Sequence, residues 1–151
     1  MSKQLHLSLV IISAVVLVGC ANTPSYHATA LSKSDGAVVR GYWSWASWHP
    51  YVFIDKVDGR ETSRRTPHGP ILVDAGVRNL TVSATHFDRL GHAELQARLQ
   101  AGHAYQVQLE QNGKLMTFWV EDVKTHETVS ERQSTNSTYK SGVLQLPAFH
   151  F

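Results

Sequence analysis

A single cysteine in 151 residues excludes an internal disulfide framework and any multi-cysteine zinc or iron–sulfur site. Charged residues make up only 17% of the chain, too few for a charge-driven disordered protein or a long coiled coil. The 14 Lys and Arg nearly balance the 12 Asp and Glu, so nothing pulls the whole toward nucleic acid, and no nucleic-acid partner is expected. No apolar run approaches the roughly 20 residues needed to cross ~30 Å of hydrocarbon. Gly-x-Ser-x-Gly, a glycine-rich phosphate loop and His-Glu-x-x-His are all missing, and the carboxylates show no evident pairing. An enzyme is therefore not expected. What remains is a 42% hydrophobic chain of a length that suits one modest domain.

The N-terminus reads as an address. Lys3 and the terminal amine form a short positive region, followed by a mostly apolar stretch over residues 7–18. That stretch is too short for a span and fits a signal peptide covering residues 1–19. It ends Leu17-Val18-Gly19-Cys20, which resembles the bacterial lipobox, in which cleavage precedes a cysteine that is then acylated on sulfur. The resemblance implies a membrane anchor through Cys20 and no cofactor beyond that covalent acyl lipid. One acyl chain binds a membrane only marginally, whereas two or more hold firmly. Ala21 and Asn22 follow the cysteine in place of the aspartate that marks inner-membrane retention, which implies the outer membrane, periplasmic or surface-facing.

Residues 20–36 then read as a lipidated tether, small and polar around Pro24. Residues 37–130 carry strand signals. Residues 51–57 alternate and end at the tight-turn dipeptide Asp58-Gly59, and Leu80, Val82 and Ala84 alternate with polar neighbours. Ala93, Leu95, Ala97 and Leu99 repeat with period two, which favours a strand over a helix despite a helix-forming composition. Asn112-Gly113 signals a hairpin into Leu115, Thr117 and Trp119 or the complementary set Met116, Phe118 and Val120. The sum is an all-β fold: a small antiparallel β-sandwich of seven or eight strands. Residues 131–151 read as a polar linker followed by an apolar C-terminal segment ending in Phe149 and Phe151.

Four short pieces carry a family resemblance: Val57-Asp58-Gly59, Asp74-Ala75-Gly76, Ala101-Gly102-His103-Ala104-Tyr105, and Phe118-Trp119-Val120-Glu121-Asp122. Together they make residues 50–130 resemble the PEGA-like or transthyretin-like β-sandwich of small bacterial envelope lipoproteins. The resemblance implies a non-enzymatic envelope module and brings no catalytic residues.

Four constellations remain as candidate contacts. Tyr42, Trp43, Trp45, Trp48, Tyr51 and Phe53 crowd one stretch, either as core or as a platform, and Trp48 in Trp-His-Pro is the one best placed for exposure. Arg60, Arg64, Arg65 and His68 share a loop suited to lipid or lipopolysaccharide phosphate, or simply to solvent. Phe149 and Phe151 suit an apolar strap on the parent sandwich or a tail that docks on another envelope protein. Nine histidines include His86 and His92, which with Asp88 could hold zinc or copper if residues 87–91 form a hairpin loop. The expectation is an outer-membrane lipoprotein that binds a protein partner through Trp48, Arg64, Arg65, Phe149 and Phe151. The alternative is a lipoprotein that binds a cell-wall glycan or, through His86, Asp88 and His92, a transition metal.

Overall fold

The computed structural model describes residues 25–30, 32–42, 50–62 and 69–139, which fold as a sandwich of two five-stranded sheets without helices. The strands are β1 (Gly36–Arg40), β2 (Tyr51–Val57), β3 (Arg60–Glu61), β4 (Ile71–Asp74) and β5 (Gly76–His86). They continue as β6 (Arg89–Leu99), β7 (Ala104–Asn112), β8 (Leu115–Asp122), β9 (Gln133–Asn136) and β10 (Thr138–Tyr139). One sheet runs β4-β1-β7-β8-β9 and the other β10-β6-β5-β2-β3.

Alternation places one side of each strand in the shared core. Leu80, Val82 and Ala84 of β5 and Leu95, Ala97 and Leu99 of β6 are buried, as the period-two pattern requires. From β7 and β8 come Tyr105 and Val107, then Met116, Phe118 and Val120, so the second of the two possible faces of β8 turns inward. Tyr105 and Phe118 are the largest fully buried side chains. Gly91 allows β6 to approach β8, because a Cβ there would lie 2.5 Å from Met116 Sδ.

The turns follow backbone chemistry. Asp58 and Gly59 both hold positive φ, 50° and 76°, as a type I′ hairpin turn demands. The β7–β8 hairpin pairs Asn112 with Leu115, so its turn is Gly113-Lys114, one residue later than the Asn-Gly signal suggests. Gly113 takes φ 60° in the first turn position.

The expected sandwich of seven or eight strands is present as the eight strands β1–β8. Two features differ from the sequence expectation. β1 pairs with β7 in parallel, an exception in otherwise antiparallel sheets. The segment read as a linker beyond Ser130 carries β9 on the edge of β8 and β10 on the edge of β6. Its polar composition fits an edge strand held by backbone pairing and by the Thr117–Ser134 hydroxyl contact at 2.9 Å, with no apolar face to bury. The segment read as a tether is likewise bound from Tyr26 onward, where Tyr26 packs against the core cluster.

Candidate functional site: the hairpin end of the sandwich

Two hairpins, β5–β6 and β7–β8, end side by side. His86 pairs with Arg89, which leaves a two-residue turn of Phe87 and Asp88. The His86 ring donates from Nδ1 to Gln111 Oε1 at 2.6 Å and so ties this hairpin to its neighbour. Gln111 in turn donates through Nε2 to Gly113 O at 3.0 Å. Ser137, between β9 and β10, donates to Lys114 O through both its backbone N–H and its hydroxyl. Together these bonds tie the two hairpins and the β9–β10 corner to one another.

Three of the four exposed large apolar side chains among the described residues lie at this end: Phe87 is 69% exposed, Tyr139 63% and Leu115 42%, while Val77 lies at the far end of β5. Arg89 lies over the Tyr139 ring at 4.5 Å and donates to its hydroxyl at 3.1 Å, which fixes the ring in place. Phe87 holds φ 52°, a left-handed conformation that is uncommon for a bulky aromatic. Such a conformation costs about 1–2 kcal/mol for an L-residue. The phenyl keeps a tilted ring contact with His86 at 4.3 Å but stays mostly exposed, so burial in its own fold offsets little of that cost. Backbone strain of this kind concentrates where a residue must be presented. Tyr42 and Pro50, which bound residues 43–49, lie at the same end, since Tyr42 bridges Val52 and Tyr51 pairs with Thr85.

The histidine cluster does not assemble. The register puts His86 opposite Arg89 and His92 opposite Ser83, three pairs further along, or about 10 Å. The expected five-residue loop is a two-residue turn, so the two imidazoles do not face each other across its base. No group of three or more His, Cys, Asp or Glu is placed to hold a metal ion among the described residues.

Two other polar clusters hold the fold. The Asp122 carboxylate is buried, accepts from His103 Nδ1 at 2.6 Å and takes the backbone N–H groups of Lys124 and Thr125. The His103 bond, helped by those two N–H groups against the cost of burial, lowers Asp122 to about 2 from the ordinary 3.8. A carboxylate ionised at that level only accepts, so Nδ1 carries the proton. This pair pins the turn after β8 to the start of β7. The other cluster centres on Asp74. Burial pushes its carboxyl up, but donors from Thr29, Ala30 and Tyr26 outweigh burial and hold it below its ordinary value.

Of the residues singled out in the sequence, Cys20, Trp43, Trp45, Trp48, Arg64, Arg65, His68, Phe149 and Phe151 lie outside the described residues. Arg60 is exposed at the start of β3, Tyr42 packs half-buried against the core, and Tyr51 and Phe53 are half-buried on the face of β2 opposite the core residues Val52 and Ile54. Phe87, Leu115 and Tyr139 were not singled out. The sequence signal for Phe87 is an aromatic next to Asp between two alternating runs, where a hairpin turn ordinarily takes Gly or Asn. Compared with models of protein families, curated proteins and solved structures, the chain shows no match.

Proposed function

We propose that this protein is an outer-membrane-anchored lipoprotein that binds another envelope protein through the hairpin end of its sandwich, as a non-enzymatic assembly module. The observation that carries the reading is Phe87, strained at φ 52° and 69% exposed, on a turn braced by hydrogen bonds on both sides. A convex apolar knob beside Tyr139 and Leu115 suits insertion into a pocket on a partner, the arrangement in which a few buried aromatics dominate binding energy. The lipobox-like Leu17-Val18-Gly19-Cys20 supports the anchor, and the likeness to PEGA-like or transthyretin-like envelope modules supports the class. Phe149 and Phe151 extend the same reading, because the chain leaves β10 at this end.

The experiment is crosslinking of the full-length protein in intact cells, alongside a chain ending at Gly142 and a Phe87→Asp variant. A discrete adduct lost in Phe87→Asp supports the reading, and its further loss at Gly142 adds the C-terminal segment to the contact. An adduct indifferent to Phe87 contradicts it.

A further inference from the structure

We infer that the flank formed by residues 25–30 and β3 is the side that the anchored protein turns to the bilayer, with His27 and Arg60 set against lipid phosphates. The inference rests on the acyl anchor at Cys20 proposed above. It deepens that reading by assigning a second surface, distinct from the hairpin end.

Residues 25–30 form an extended strap. Tyr26, Ala28 and Ala30 are half-buried, while His27 and Thr29 are exposed. Tyr26 N–H donates to Glu61 O at 2.7 Å, and the Tyr26 hydroxyl donates to Asp74 Oδ2 at 3.1 Å while accepting from Asp74 N at 3.0 Å. Thr29 Oγ1 and Ala30 N donate to Asp74 Oδ1 at 2.7 and 2.8 Å. Gly36 lets the strap settle, because a Cβ there would lie 2.8 Å from that of Ala30.

The arithmetic of chain length then orients the domain. Six peptide steps from Cys20 to Tyr26 span at most about 20 Å. A bound Tyr26 therefore stays within that distance of the acylated residue. Across its own sheet, β3 is the edge strand opposite β10, four strand spacings or about 19 Å away. Along the strands, Glu61 lies level with Thr81, some five residues or about 17 Å from His86. The strap thus lies about 20 Å from the β5–β6 turn that carries Phe87 and about 25 Å from Tyr139 on β10. Bringing the strap to the membrane leaves Phe87 and Tyr139 clear of it.

The flank has the chemistry for headgroups. Between strap and β3 lies a polar pocket of about 200 Å³ that includes Tyr26, His27, Asp58, Arg60 and Arg78. Its carboxylates are occupied. Asp58 pairs with Arg78 at 3.0 Å and accepts from Asn79 N, and Asp74 is taken by the strap. Arg78 is also occupied, through Asp58 and the carbonyls of Asp74 and Ala75. Among the described residues Arg60 makes no ion pair, and its exposed guanidinium matches two phosphate oxygens at once. The exposed His27 ring lines the same pocket and offers a second donor.

Because acylation consumes the only native cysteine, an introduced cysteine is a unique dye site. The test uses the full-length lipidated protein in phosphatidylethanolamine–phosphatidylglycerol vesicles with an acceptor lipid, labelled at Glu61→Cys or at Asp88→Cys. Intact mass of the same samples reports acylation. The expected result is acylation at Cys20 and several-fold more energy transfer from position 61 than from 88, falling toward the position 88 value when Arg60→Glu or His27→Glu is added. A chain without acyl mass overturns the anchor and this inference with it. An acylated chain with equal transfer from both positions, or more from 88, overturns the inference alone. Transfer from 61 that is unchanged by both charge reversals overturns the phosphate contact.

Discussion

Phe87 and Gly113 hold the same place in neighbouring hairpins, each the first residue of a two-residue turn, at φ 52° and φ 60°. Glycine meets that backbone without steric cost, and phenylalanine does not. The fold therefore contains its own control for what Phe87 does.

Phe87→Gly is expected to raise stability by about 1 kcal/mol by releasing the left-handed strain, seen as a higher urea midpoint with an unchanged m-value. Gly113→Phe is expected to lower it by a similar amount. A Phe87→Gly variant that unfolds at lower urea would show that the turn carries no strain.

Acid is expected to weaken the domain through Asp122. Its folded pKa lies near 2, below the ordinary 3.8, so its contribution is present above about pH 4 and is lost as pH falls toward 2. The difference is worth about 2 kcal/mol. Asp74, also held low, acts in the same direction. Urea melts of wild type and Asp122→Asn should differ most at neutral pH and converge as pH falls to about 2. A constant gap would assign the loss to packing rather than ionisation.

Gly91→Ala is expected to cost about 1–3 kcal/mol by overpacking against the buried Met116 Sδ. Met116→Val should also destabilise alone, but the pair together should cost less than the sum of the two. Additive losses in a double-mutant cycle would show that the two sites are not in contact.

Zinc and copper are expected to produce no shift in melting temperature through His86 and His92, because the two stand three pairs apart. His86→Ala should cost about 1 kcal/mol through the lost Gln111 bond, with or without metal. A chelator-reversible shift lost in His92→Ala would contradict this.

Much of the fold was legible because local patterning is enough for an antiparallel strand. β2 over residues 51–57 and the period-two rows of β5 and β6 follow directly from which side chains must be dry. The parallel β1–β7 pair was not legible, since it joins residues more than sixty apart and leaves no alternation of its own. β9 and β10 escaped because an edge strand such as Gln-Ser-Thr-Asn pairs through its backbone and buries little. The candidate site was hidden for a related reason. A histidine pair six residues apart suggests a ligand set only if the loop is long, and a two-residue turn moves the imidazoles apart. That same short turn projects Phe87, whose significance depends on a dihedral angle that composition does not reveal.

The most direct test places a photo-crosslinking amino acid at position 87 of the lipidated protein in intact cells, with positions 33 and 92 as exposed controls. The expected result is one discrete protein adduct from position 87 and none of that mass from 33 or 92. No adduct from 87, or the same adducts from all three positions, would contradict the assignment of the hairpin end as the partner-binding surface.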